Sequence, residues 1–243
     1  MKIAINGMGR IGRLLFRRLV NHPGIEIVAV NDIMPPENLA YLIRYDSIYG
    51  TFDNTVIAEG HSITAAGKKV IALQTEHPSQ LPWNNLKVDV VLECSGQFSN
   101  YAGASEHLKA GAKKVLLSTT GSADIPLLIY GFNHNKATTD THIISPGGCM
   151  TNCSVHILYI LNSIGIHSAQ INMLQPGQTR VGRILTLIAI THRGIPGHRV
   201  HRNRPQQQIG KDRNEHGQTE FQNQSHWQRT SGYRHFYVGI MVY

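Results

Sequence analysis

Lys2-Ile3-Ala4-Ile5-Asn6-Gly7-Met8-Gly9-Arg10-Ile11-Gly12-Arg13 is the stretch that decides the fold. Lys2 to Asn6 reads as a short strand. A helical pattern follows the glycines, with Ile11, Leu14, Leu15 and Leu19 on one face. Each glycine has a mechanical reason: Gly7 allows the tight turn off the strand, Gly9 lets backbone approach a pyrophosphate, and Gly12 lets the helix lie close to the strand. The helix N-terminus then offers free N–H groups and a positive dipole end to phosphates. A lone G-x-G-x-x-G is a weak signal, but this one stands between a strand and a helix. A second strand, Glu26 to Asn31, ends at Asp32, about twenty residues on, where a dinucleotide site needs a carboxylate for ribose hydroxyls. The same charge repels a 2′-phosphate, which favours NAD over NADP.

The pattern continues outward from there. Pro36 to Tyr45 reads as a helix with Leu39, Leu42 and Ile43 on one side, and Thr51 to Leu73 as two or three short strands. Val88 to Leu92 reads as a buried parallel strand ending at Glu93-Cys94-Ser95-Gly96, the strand-end position where open α/β sheets contact ligands. A helix near Ser105 to Ala110, a strand at Lys114 to Leu117, a loop from Ser118 to Asp124, and strands at Leu127 to Phe132 and His142 to Ser145 follow. Strand and helix signals alternating in this way define an α/β chain with a doubly wound parallel sheet.

Pro146-Gly147-Gly148 then turns the chain and delivers Cys149 to the start of a helix whose apolar side carries Val155, Leu158, Leu161 and Ile164. A cysteine in that position has its thiolate favoured by the helix dipole and its sulfur exposed for attack. Cys94 and Cys153 read instead as small core residues. Three cysteines make no disulfide framework, so a reducing, cytoplasmic setting is expected. No apolar run reaches the length of a membrane span, and Arg10, Arg13, Arg17 and Arg18 break any signal-peptide pattern.

The net charge of +8 is unevenly placed. Residues 1–174 hold 13 Lys+Arg against 12 Asp+Glu, whereas residues 175–243 hold 10 against 3. A strand from Gln170 to Leu174 opens a second domain, and the apolar signals fade beyond Ala189. Residues from His192 to Gly232, rich in Arg, Gln and His, bury too little apolar surface to offset the entropy of ordering them. The expected organisation is therefore a dinucleotide-binding domain over 1–147, a truncated start of a second domain over 148–190, and a disordered basic tail over 191–243. The tail's arginines are dispersed, without an aromatic platform, so nucleic acid is not an expected partner. His198 and His201 lack a second ligand pair, so no metal is expected.

Met1 to Gly12, Val28 to Asp32, Asn38 to Leu42, Tyr45-Asp46-Ser47, Val88 to Gly96, Ala110 to Lys114 and Cys149-Met150-Thr151-Asn152-Cys153 resemble the phosphorylating glyceraldehyde-3-phosphate dehydrogenases, a match that covers about residues 1–174. The related erythrose-4-phosphate dehydrogenases are similar nearly as closely. The resemblance implies a Rossmann domain that binds NAD, followed by a catalytic domain within a homotetramer. By position, it implies cofactor contacts at Gly9, Arg10, Ile11, Asp32, Ser95, Gly96 and Ser118, besides the turn glycines Gly7 and Gly12. It makes Cys149 the nucleophile that attacks an aldehyde and forms a thioester cleaved by inorganic phosphate. Thr151 would face the sugar-phosphate substrate.

The sequence departs from the family at defined places. Gly148 and Met150 stand where the family has hydroxyl residues that help hold phosphate, and Gln175 stands where it has its catalytic histidine. A glutamine amide takes up no proton near neutral pH, so an impaired activity is expected, or an NAD-binding remnant without turnover. No family feature follows Gln175. Codons compatible with His226 to His235, read one nucleotide later, can spell a string similar to the family's Arg-Val-Pro strand region. A shifted reading frame downstream of about Gln175 therefore accounts for the abrupt change in composition.

Overall fold

Alternate residues of β1 (Lys2–Asn6) go to opposite faces of a sheet, as a period of two requires. Ile3 and Ile5 join one apolar cluster, whereas Ala4 joins another with Ala29, Trp83 and Val91. The computed structural model describes residues 1–174, 184–192 and 235–242. They fall into two compact units, Met1–His156 and Ile157–Tyr243. The division falls nine residues beyond the boundary expected at 147, inside a helix rather than before it.

In the first unit β1 is followed by α1 (Arg10–Leu19), β2 (Glu26–Asn31), α2 (Pro36–Arg44), β3 (Tyr45–Asp46), β4 (Gly50–Thr51), β5 (Val56–Glu59), β6 (Ser62–Ala65) and β7 (Lys68–Leu73). After these come α3 (Trp83–Leu86), β8 (Val90–Glu93), α4 (Tyr101–Lys109), β9 (Lys114–Leu117), β10 (Ile143–Ile144) and the start of α5 (Cys149–Ile164). Eight strands form one sheet in the order β10-β9-β8-β1-β2-β7-β6-β5. The six from β10 to β7 pair in parallel, and β6 and β5 extend that sheet as an antiparallel edge. Counted along the chain, the parallel strands stand in the 3-2-1-4-5-6 order of a Rossmann sheet, as expected.

The helices cover the sheet where sequence gives them an apolar stripe. On one face Phe16 of α1 and Leu39 and Ile43 of α2 are buried with Ile3, Ile5 and Val30. The stripe of α1 is the expected one in part: Leu15 and Leu19 are half-buried and pack against this cluster, whereas Ile11 is 49% exposed and the fully buried positions are Gly12 and Phe16. On the same face as Ile3, beside α1, Leu15, Leu19, Val90, Leu92 and Leu116 line an apolar trough of about 390 Å³.

Two further expectations shift. Helix α4 begins at Tyr101, ahead of Ser105, because the side chain of Asn100 accepts from the Gly103 N–H at 2.7 Å and caps it. Leu127 to Phe132 is not a strand. Leu127 makes a single parallel bridge to Ser145, after which the Asn133 side chain captures the chain. It accepts from Ile129 N–H at 2.7 Å and donates to Leu127 O at 2.9 Å, and Gly131 sits at φ +82°. An asparagine bonding to nearby backbone competes with the ladder and wins here.

The second unit contains three antiparallel strands in the order β11 (Ile166–Leu174), β12 (Ile184–His192) and β13 (His235–Val242). β11 begins four residues before the Gln170 start expected from sequence. β13 lies within the stretch expected to be disordered; its sequence HFYVGIMV is β-prone and apolar, unlike the polar residues before it. Gln175 and residues 193–234, with His198, His201 and most of the expected tail, lie outside the described residues. No helix among the described residues is long and apolar enough to cross a membrane. No group of three or more His, Cys, Asp or Glu among them is arranged to hold a metal ion.

Candidate nucleotide crevice and cysteine turn

β1, β2, β8, β9 and β10 run in parallel, so the segments that follow them leave the sheet at one edge. Those segments, with the first residues of the helices they lead into, are Gly7 to Gly12, Asp32, Cys94 to Gly96, Ser118 to Gly121 and Ser145 to Cys149, and they contain every site residue read from the sequence except Thr151, which follows in α5. Open α/β sheets bind ligands at this edge, where connections leave in opposite directions. Here that switch lies between β1 and β8.

The first turn is built by close approach. Gly7 has φ +88°, and a side chain there would overlap the backbone of Cys94 and Ser95. A side chain at Gly12 would overlap the Gly7 carbonyl oxygen, so α1 can begin this near β1 only with glycine. At Gly9 the opposite holds: a side chain would meet no protein atom within 4 Å, and the backbone there faces open space. Gly9 caps α1 without a side-chain bond, and no acidic residue lies in the first turn. The positive end of the helix dipole is therefore uncompensated from within α1. Arg10 and Ile11 are exposed beside it.

Asp32 is half-buried at the end of β2. One carboxylate oxygen accepts from Met8 N–H at 2.6 Å and the other from Met34 N–H at 3.0 Å. It thus fastens the glycine turn to β2 while keeping lone pairs for a hydroxyl.

A buried polar chain runs under the crevice. The Trp83 indole N–H donates to Nδ1 of His107 at 2.9 Å, and His107 Nε2 lies 2.9 Å from Glu93 Oε2. Since Trp83 can only donate, Nδ1 accepts and the hydrogen of the ring sits on Nε2, directed at Glu93. Asn6 Nδ2 donates to the same Glu93 oxygen at 2.6 Å, and Asn31 Nδ2 donates to Asn6 Oδ1 at 2.7 Å. Asn31 closes the chain on Thr75, donating to its O at 2.8 Å and accepting from its N–H at 2.9 Å. Burial pushes the Glu93 carboxyl up, but the hydrogen bonds from His107, Ser95 and Asn6 outweigh it and hold the group below the ordinary glutamate value. Sequence reading picked out Glu93 only as a strand end and missed Asn6, Asn31, Trp83 and His107. The available signal was a polar residue closing each of three apolar strands, at Asn6, Asn31 and Glu93.

Cys94 is half-buried, and burial, reinforced by the Glu93 charge, pushes its thiol up to about 12 against a hydrogen bond with Ser118. It packs against the first apolar cluster, and Cys153 is half-buried in α5. Cys149 is exposed at the first residue of α5. Two side chains shape the turn before it. Ser145, almost fully buried, donates to Thr119 O at 2.7 Å and accepts from Gly121 N–H at 3.2 Å and Gly147 N–H at 3.1 Å. Asn152 donates to Pro146 O at 2.9 Å and Gly148 O at 3.0 Å. Gly147 sits at φ +81° with the half-buried Thr151 against it. Cys149 is thereby tied to the loop after β9.

Fold and crevice together define a dinucleotide-binding Rossmann domain. Residues 1–101 match the family described as glyceraldehyde 3-phosphate dehydrogenase, NAD binding domain, which makes NAD the cofactor of the matched part. The chain is 44% identical over 170 residues to a glyceraldehyde-3-phosphate dehydrogenase of Zymomonas mobilis, covering 68% of this chain and 50% of that protein. It is 41% identical over 162 residues to one from Mycoplasma pneumoniae, covering 66% and 48%. It is 40% identical over 170 residues to glyceraldehyde-3-phosphate dehydrogenase 2 of Bacillus subtilis, covering 69% and 50%. Through this part the chain belongs to the glyceraldehyde-3-phosphate dehydrogenase family. It spans about half the length of the curated relatives it matches.

Proposed function

We propose that this chain is an NAD-dependent, phosphorylating dehydrogenase of glyceraldehyde 3-phosphate, working through a thioester on Cys149 and limited by Gln175. The open backbone at Gly9, beneath an uncompensated helix N-terminus, is the observation that carries the cofactor part, because it suits an anion that approaches main chain closely. Gly7, Gly9, Arg10, Ile11 and Gly12 would hold the pyrophosphate, Asp32 a ribose, and Ser95, Gly96 and Ser118 the far half. Asp32 favours NAD over NADP. Three strand spacings of about 4.8 Å, roughly 14 Å, separate the β1 turn from the β10 turn, a span that suits an extended dinucleotide leading toward Cys149.

NAD, when bound, supplies the hydride acceptor. The Cys149 sulfur attacks the aldehyde carbon and carries the acyl group until inorganic phosphate displaces it. Thr151, two residues beyond Cys149 in the first turn of α5, would face the substrate. The thiol proton needs an acceptor, and Gln175 offers none; lacking a positioned base costs about 10²–10⁴ in rate. Erythrose 4-phosphate suits the same chemistry. A cytoplasmic setting suits three free thiols.

Gln175 and the half-length coverage favour a second reading, an NAD-binding protein without turnover. Reduced-cofactor formation from glyceraldehyde 3-phosphate, NAD and phosphate separates the two. Turnover that Cys149→Ser abolishes supports the enzyme; NAD binding with no turnover supports the remnant. The shifted-frame account of residues after about Gln175 is tested by the coding DNA, in which the family's second domain should reappear in another frame.

A further inference from the structure

Glu93 is 2% exposed in an otherwise apolar strand, and its carboxylate receives four donors. Asn6 and His107 reach Oε2, while Oε1 accepts both the amide of Ser95 at 2.8 Å and the hydroxyl of Ser95 at 2.5 Å. Four donors fill the lone-pair positions of an ionised carboxylate. A buried charge is expensive, and a packing role alone is better met by an apolar residue such as the neighbouring Leu92. What a carboxylate adds is a fixed grip on Ser95.

That grip has a chemical consequence. The single hydroxyl hydrogen of Ser95 is directed inward to Glu93, so the oxygen faces outward with lone pairs only. One of these accepts from Gln97 N–H at 3.2 Å; the other is free for a ligand. Ser95 also abuts Gly7, whose missing side chain leaves room for its backbone. The β8 loop and the glycine turn are therefore set against each other by the same contact.

We propose that Glu93 is a positioning residue of the nucleotide crevice, holding Ser95 so that its hydroxyl acts toward the ligand as a hydrogen-bond acceptor only. A phosphate oxygen has no hydrogen to give such a group, so the ligand atom at Ser95 is a sugar hydroxyl or an amide N–H. This inference rests on the NAD-binding reading above.

The test is a double-mutant cycle on the full chain, with NAD affinity read by titration calorimetry and folding by circular dichroism. Glu93→Gln and Ser95→Ala should each weaken NAD about tenfold. The double variant should bind no more weakly than the poorer single variant, because Glu93 acts through Ser95. A merely structural role predicts additive losses, and additive losses overturn the proposal, as does a folded Glu93→Gln chain with unchanged affinity. Should Glu93→Gln not fold, Glu93→Asp in the same cycle keeps the buried charge and withdraws it from Ser95. A wild-type chain that is folded and binds no NAD overturns the cofactor reading itself, and this inference with it.

Discussion

The indole N–H of Trp83 points at Nδ1 of His107, 2.9 Å away, and thereby decides which nitrogen of that ring carries the hydrogen offered to Glu93. One aromatic residue under α4 thus sets the hydrogen-bonding sense of a chain that reaches across β8 and β1 to Asn31 on β2. The arrangement is fully buried at Trp83 and His107. Removing a donor there leaves an acceptor that water cannot reach. Trp83→Phe should cost about 1–3 kcal/mol, the usual penalty for an orphaned buried group, with packing loss added. Urea denaturation followed by circular dichroism measures it.

The glycine turn makes a sharper forecast. Gly12→Ala drives a methyl group into the Gly7 carbonyl, and backbone cannot swing aside as a long side chain can. Overpacking of this kind costs about 1–3 kcal/mol. Gly9→Ala meets open space, so its folding stability should hold while NAD binding falls. Comparing melting temperature with NAD affinity for the two variants separates a folding glycine from a binding one.

The cysteines should differ in chemistry. Cys149 is exposed, whereas the thiol of Cys94 is buried and pushed up to about 12. Iodoacetamide at pH 8 should label Cys149 first and leave Cys94 intact in the folded chain, as read by peptide mass spectrometry. Equal labelling of both would mean that the β8 turn is not packed as described.

Acid should loosen the first unit. Glu93 is held below its ordinary value by hydrogen bonds that outweigh burial, and Asp46 is lowered by the Tyr49 and Ile48 amides. A depressed carboxyl contributes stability above its unfolded value, and that contribution disappears as pH falls through the folded value. The loss therefore begins within the ordinary carboxylate range and is complete only beneath the lowered folded values. A melting-temperature series downward from pH 6 should fall steeply at the acid end, and Glu93→Gln should flatten part of that slope.

Asp32 carries two duties, one toward Met8 and Met34 and one toward the ribose. Asp32→Asn removes the charge that repels a 2′-phosphate and retains a polar side chain near both amides. The ratio of NAD to NADP affinity should drop by about tenfold, the size of one charge-assisted hydrogen bond. An unchanged ratio would remove Asp32 from the ribose site.

The sheet was legible because its strands are short apolar runs punctuated by glycines, and the position of Asp32 set the first pairing. Cys149 was legible from the Gly-Gly turn alone. The α1 face was legible in part: Leu15 and Leu19 pack on the core as periodicity suggests, but Ile11 is exposed and Gly12, which periodicity ranks low, is buried by its close approach to Gly7. Leu127 to Phe132 was misread because Asn133, a residue outside the run, supplies competing hydrogen bonds. The Glu93 chain joins residues up to 101 positions apart, from Asn6 to His107, and no local pattern connects them. Strand β13 went unread because an apolar octet follows a long polar stretch.

Titration of NAD into the full, folded chain tests the central claim most directly. Saturable binding that Gly9→Ala weakens is the expected result. A chain that keeps its α/β circular dichroism and its sharp melting transition, yet gives no binding heat with millimolar NAD, would contradict it.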